Sequence, residues 1–232
     1  MVLRGVVFDL FGTLVEGWGK QTAARKSDEI AKILGVPAEP YRELMETTYT
    51  LRANGQLGGP AEMMRRLSAM AGVTPSEAAI ERAAAHRIAQ FRQVLWAPRP
   101  GVTSLLAELR HRNLRVGLIS DCSGETPVLW KELPWTSPIQ AAVFSWTEGV
   151  RKPDPALYRK VTEVLQLAPA ECLYVGDGGS QELSGAERAG MRAYQLLAPR
   201  PDGDELLQYD PDPNWAGPGI ATLSEILPLL RG

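Results

Sequence analysis

Four short stretches of this 232-residue chain hold side chains that could do chemistry together. Val6-Val7-Phe8 is an apolar run without helical spacing that stops at Asp9, with Gly12 and Thr13 just beyond. Such a run reads as a strand buried on both faces of a parallel sheet. Asp9 then stands at the strand's C-terminal end, where open α/β sheets place their ligands. A glycine and a hydroxyl after it let the backbone turn tightly and aim amide donors back at the carboxylate's neighbourhood, an oxyanion cradle. Ile119-Ser120-Asp121 ends a second strand in a hydroxyl and an acid. Arg151-Lys152-Pro153-Asp154-Pro155 sets an ammonium on backbone that two prolines and a helix cap leave little freedom. Leu173-Tyr174-Val175-Gly176-Asp177 is another strand ending in an acid, and Glu182 follows five positions on. Taken singly, each has a plainer reading: a strand and turn, a serine opening a turn, a solvated lysine, two solvated acids around a turn.

The elements that must position these residues are legible from periodicity. From Pro98 onward, strands and helices alternate at the spacing of βαβ units, which predicts a parallel sheet with helices on both faces. Strands are expected at 116–119, 142–144, 173–175, 193–196 and 220–222. Helices are expected at 102–112, 155–167 with Asp154 as N-cap, 182–189, and through Ile226 and Leu229. Pro199 to Pro218, rich in Pro, Gly and Asp, reads as a surface loop. Between about residues 20 and 95 only helical spacing occurs. The first helix ends before Gly35, a second carries Tyr41, Leu44, Met45, Thr48 and Leu51, and a third carries Met63, Met64, Leu67 and Met70. Thr74-Pro75-Ser76-Glu77 reads as a capping box, with Thr74 as N-cap, opening a long fourth helix through Ile80, Ile88, Phe91 and Leu95. The methionines fit a helical core better than a ligand surface. The expected architecture is an α/β, three-layer, Rossmann-like parallel-sheet core of residues 1–16 and 96–232. A four-helix bundle cap of residues 17–95 interrupts it, with hinges near Glu16 to Lys20 and Trp96 to Arg99.

Composition narrows the function classes. A net charge of −2 gives no basic footprint for nucleic acid or an anionic membrane. No apolar run approaches the roughly 18 residues that span a bilayer, and no apolar leader precedes the first strand, so a cytoplasmic protein is expected. Cys122 and Cys172 are too few and too far apart for a disulfide framework or a zinc site, and both are expected to be reduced. His86 and His111 lie on expected helices, away from any strand end, and take no role.

Asp9 to Thr13, Ser120, Lys152, and Asp177 with Glu182, Gly185-Ala186 and Gly190-Met191 together resemble the four motifs of the haloacid dehalogenase-like hydrolase superfamily. The resemblance runs over the whole chain and places it with members whose helical cap is inserted directly after the first motif. It implies that Asp9 is a covalent nucleophile, that Thr13 and Ser120 bind substrate, and that Lys152 neutralises both Asp9 and an incoming anion. Three converging carboxylates would raise one another's pKa unless a cation joined them. Oxygen ligands suit Mg²⁺, held by Asp9, the Phe11 carbonyl, Asp177, and Glu182 directly or through water. The implied reaction is hydrolysis of a small phosphate ester through an aspartyl-phosphate.

Three positions depart from the pattern. Phe11 stands where phosphatases of the superfamily carry the acid that protonates the leaving group. Asp121 stands where Asn is common, and Glu182 where the shorter Asp is. The alternatives are a metal-independent 2-haloacid dehalogenase, which has an aromatic residue at position 11 but typically Ser at position 177, and a non-catalytic relative. A mutase would need the missing acid. A phosphonate-cleaving enzyme would need a cap lysine, for which Lys20, Lys26 and Lys32 carry no supporting signal. Neither the substrate nor the oligomeric state has a motif.

Overall fold

The computed structural model describes residues 2–198, 207, 210–212 and 215–230. The sheet's first strand, β1 (Gly5–Phe8), is buried along its whole length. The remaining strands are β2 (Arg115–Ser120), β3 (Ala141–Phe144), β4 (Cys172–Gly176), β5 (Arg192–Leu196) and β6 (Gly219–Ile220). All pair in parallel, in the order β3-β2-β1-β4-β5-β6. The chain first winds outward from β1 to β2 and β3, then crosses to β4 on the other side of β1. The strand order therefore reverses beside β1, the point at which open sheets form a crevice.

Register sets the spacing of the chemistry. Phe8 lies opposite Leu118 on one side and Val175 on the other. Asp9 is one residue beyond Phe8, while Ser120 and Asp177 are two beyond their partners, so all three emerge at one edge of the sheet. Side chains alternate between two faces. Val6 and Phe8 pack with Leu105, Leu106 and Leu109 of α6 (Val102–His111). Val7 and Tyr174 pack with α9 (Pro155–Leu165) and α10 (Glu182–Arg188). Two short helices, α7 (Glu125–Trp130) and α8 (Ser145–Glu148), follow β2 and β3, and α11 (Ile226–Leu229) closes the described chain.

Between β1 and α6 the chain inserts α1 (Lys20–Leu34), α2 (Ala38–Thr47), α3 (Tyr49–Ala53), α4 (Pro60–Met70) and α5 (Glu77–Leu95). These helices have their own core around Ile30, Tyr41, Met63, Met64, Leu67 and Ile80. Met63 and Met64 are core, as expected, but Met70 is 51% exposed and stands outside the stripe. The second expected helix is two: Thr48 turns its hydroxyl back onto the Leu44 carbonyl and leaves helical geometry. The expected capping box is also displaced. Ser76, not Thr74, caps α5 by accepting from the Ala79 amide at 3.3 Å. The Glu77 carboxylate is held instead by Arg65 of α4 at 2.8 Å, so it never reaches back to a cap.

The two crossings between sheet and insertion run side by side. Val15 and Pro98 form an antiparallel bridge, and Arg99 pairs with Glu16 at 2.9 Å. The expected loop from Pro199 to Pro218 lies largely outside the described residues. Within it, the Leu207 amide donates to the Trp18 carbonyl at 3.2 Å.

Candidate active site

The strand ends bring Asp9, Lys152, Asp177 and Glu182 together. Lys152 Nζ donates to Asp9 Oδ1 at 2.6 Å and to Glu182 Oε2 at 2.5 Å. Asp9, Asp177 and Glu182 each offer an oxygen within 4.8 Å of the others. Glu182 is wholly buried and held at both oxygens: Oε2 also accepts from the Tyr174 hydroxyl at 2.8 Å, and Oε1 from the Gly178 amide at 3.0 Å. Two glycines make room for the acids. A Cβ on Gly12, at φ +87°, would stand 2.2 Å from Asp177 Oδ2, and one on Gly176 would stand 2.1 Å from Glu182 Oε1.

Electrostatics follow from burial and spacing. Loss of water, then the neighbouring Glu182 charge, push the Asp9 carboxyl well above the usual range, and Lys152 only partly opposes them. Burial works against the Lys152 ammonium, but Asp9 and Glu182 outweigh it and hold the amine well above its usual value. Three carboxylates against one ammonium leave an excess of two negative charges. Asp9 Oδ2 and the Thr13 hydroxyl are buried with no hydrogen-bond partner among the described residues. Such atoms cost roughly 1–3 kcal/mol each unless a ligand completes them. An all-oxygen donor set with two surplus charges fits a hard divalent cation such as Mg²⁺.

One expectation fails here. The amides of Gly12 and Thr13 do not form an oxyanion cradle, because the turn uses them itself: Gly12 N–H donates to Val15 O at 2.9 Å and Thr13 N–H to Leu10 O at 3.3 Å. The Thr13 hydroxyl of that turn is left without a partner among the described residues. Ser120 lies wholly buried at the end of β2, on the same sheet edge. Asp121, whose role the sequence left open, accepts the Lys152 backbone N–H at 3.0 Å and so pins the lysine's loop.

A cavity of about 650 Å³ opens over Asp9, Lys152 and Asp177, and the inserted helices form its far wall. The Phe11 ring meets Phe91 of α5 edge-on at 6.0 Å, and Trp18 meets Phe91 at 4.8 Å, all three lining the cavity. Arg42 and Arg87 also line it, matched by Asp28 at 2.6 Å and Glu125 at 2.5 Å. Sequence reasoning singled out Phe11 but gave Trp18, Arg42, Arg87 and Phe91 no place in the site. Phe91 in particular read only as a helix position, since an apolar residue at helical spacing looks the same whether it faces a core or a cavity. Tyr174 was also missed. Its signal was a tyrosine in a doubly buried strand, whose hydroxyl must find a partner.

The chain is similar to curated proteins over most of its length. It is 28% identical over 220 residues to glyceraldehyde 3-phosphate phosphatase of Methanopyrus kandleri, covering 88% of this chain and 91% of that one. It is 29% identical over 197 residues to phosphoglycolate phosphatase of Rhodospirillum rubrum, covering 81% and 77%. Its fold is similar to that of L-2-haloacid dehalogenase from Xanthobacter autotrophicus with chloropropionic acid covalently bound, at TM-score 0.66 and 20% identity over 100% and 99% of the two chains. The family model for haloacid dehalogenase-like hydrolases matches residues 3–190, from before β1 to the end of the acidic fourth motif, and the chain belongs to that family.

Proposed function

We propose that this hydrolase cleaves a small phosphate ester through an aspartyl-phosphate on Asp9, with Mg²⁺ as cofactor. The observation that carries the reading is the acidic cluster, whose two unmatched negative charges sit beside a nucleophile already served by a lysine. Phosphatase relatives matching most of the chain support it. Asp9, the Phe11 carbonyl and Asp177 would hold the ion, with Glu182 reaching it directly or through water. When bound, Mg²⁺ supplies positive charge against the phosphoryl oxygens.

This chain's own residues divide the remaining work. Lys152 holds Asp9 by Oδ1, which leaves Oδ2 to attack phosphorus. Its ammonium also offsets the incoming dianion, while the Thr13 and Ser120 hydroxyls receive phosphate oxygens. Glu182, held by Tyr174 and Gly178, keeps Lys152 aimed. As the Asp9–phosphorus bond forms, the ester bond breaks and its electron pair leaves on the alcohol oxygen. Water then attacks phosphorus and returns the Asp9 carboxylate.

Residues 17–95 act as a cap that closes the cavity over the leaving group. The partner is a small phosphorylated molecule, with neither nucleic acid nor membrane involved. Among the described residues no helix is long and apolar enough to cross a membrane. Both cysteines are buried and unpaired, in keeping with a cytoplasmic site.

Phe11 favours a second reading, a metal-independent 2-haloacid dehalogenase, since that group has an aromatic residue there. A panel of p-nitrophenyl phosphate and 2-chloropropionate, each with Mg²⁺ and with chelator, separates the two. Phosphate release that chelator abolishes supports the phosphatase. Halide release in chelator overturns it.

A further inference from the structure

The chain lacks an acid at position 11 and carries an unexpected one at position 121, and both line the same cavity as Asp9. Asp121 follows the last residue of β2, the strand next to β1, so it reaches the reaction edge from the adjacent strand. One carboxyl oxygen is anchored: Oδ1 accepts the Lys152 amide at 3.0 Å. The other, Oδ2, is buried and makes no well-formed hydrogen bond among the described residues. A carboxyl held by one oxygen, with the second left for a proton, has the arrangement of an acid rather than of a structural tie.

We propose that Asp121 is the general acid and base of this site, taking the role that Phe11 cannot fill. The proposal rests on the phosphatase reading. In the first step the Asp121 carboxylic acid gives its proton to the leaving oxygen as the phosphorus–oxygen ester bond breaks, and becomes a carboxylate. In the second, that carboxylate takes a proton from the water attacking the aspartyl-phosphate. The bond from phosphorus to Asp9 breaks, its electron pair returns to Asp9, and Asp121 ends protonated. Ester and water become alcohol and hydrogen phosphate, and no other reactant is needed.

The surroundings suit the task. Burial raises the Asp121 pKa above the ordinary range, which favours the protonated form the first step needs. The charged and titratable groups facing it are Lys152 and Arg151 from the loop before α9, which oppose that rise, Tyr49 from α3, Tyr158 from α9 and the neighbouring Cys122. Ser180 adds a hydroxyl. Asp121 thus lies between the Arg151-Lys152 loop, to which it is bonded, and Tyr49 of the inserted helices, and all of Asp121, Lys152 and Tyr49 line the cavity.

The test is Asp121→Asn, because asparagine keeps an acceptor for the Lys152 amide and removes only the proton. An acid matters most for a poor leaving group. Turnover of glycerol 3-phosphate should fall about 10²-fold or more, while that of p-nitrophenyl phosphate, whose leaving group needs no proton, should fall less than about tenfold. KM should change little, and the basic limb of the wild-type kcat profile on glycerol 3-phosphate should disappear. Adding Phe11→Asp to the variant should recover part of the glycerol 3-phosphate activity. An equal fall on both esters, or an unchanged pH profile, would show a structural role and overturn the proposal while leaving the phosphatase reading intact. Wild type that releases phosphate from neither ester would overturn both.

Discussion

Arg87 of α5 and Glu125 of α7 tie the inserted helices to the sheet through a pair whose side chains are 3% and 0% exposed. The Ser123 hydroxyl also donates to Glu125. Removing one partner strands the other as a buried charge, which costs about 3–5 kcal/mol, whereas replacing both with apolar residues is often neutral. Arg87→Met and Glu125→Leu should each lower stability by about that amount, and the double variant should regain most of it. With a urea slope near 3 kcal/mol per M, each single change should move the unfolding midpoint by roughly 1 M or more. The pH dependence has a definite sign. Burial would raise the Glu125 carboxyl, but Arg87, the Ser123 hydroxyl and a backbone hydrogen bond together outweigh it and hold the carboxyl below its ordinary value. The pair's contribution is therefore full above the unfolded glutamate pKa, about 4.3, and is lost as pH falls through the folded value. The gap between wild type and Arg87→Met should narrow over that acid range. Urea titrations from neutral pH downward provide the assay. Single variants costing under about 1 kcal/mol, or costs that simply add in the double variant, would refute a formed buried pair.

Further outcomes follow from the site itself. Gly176→Ala would press a methyl group against the Glu182 carboxylate, and activity should drop at least tenfold while circular dichroism stays that of the folded chain. Tyr174→Phe removes one hydrogen bond to a buried carboxylate, so stability should fall by about 1.5–3 kcal/mol in thermal melts. Because Glu182 aims Lys152, the same variant should lower kcat more than it raises KM. Mg²⁺ should restore to chelator-treated protein all the phosphatase activity it lost, and a steady-state assay before and after addition checks this.

The sheet was legible because doubly buried parallel strands are continuous apolar runs that stop at polar residues. β1, β2, β3, β4 and β5 each fall within about a residue of the stretch that announced them. The same stops placed Asp9, Ser120 and Asp177 on one edge without any knowledge of side-chain contacts. What stayed hidden depended on tertiary partners. Glu77 resembles a capping-box residue until Arg65 of a neighbouring helix takes its carboxylate. Thr48 sits within a helical pattern that its own hydroxyl interrupts. Gly12 and Thr13 have the makings of an anion cradle, yet their amides serve the turn. Asp121 showed only as a surplus charge, because neither its bond to the Lys152 amide nor its buried second oxygen has a signature in local sequence.

The covalent role of Asp9 is the centre of the account, and acid-quench trapping during turnover tests it most directly. Protein mixed rapidly with p-nitrophenyl phosphate and Mg²⁺, then denatured in acid and mapped by mass spectrometry, should carry a phosphoryl group on the peptide containing Asp9. Asp9→Asn should carry none and should release no nitrophenol while remaining folded. Phosphate release by wild type with no adduct on that peptide, or turnover by Asp9→Asn above roughly a hundredth of wild type, would contradict the covalent mechanism.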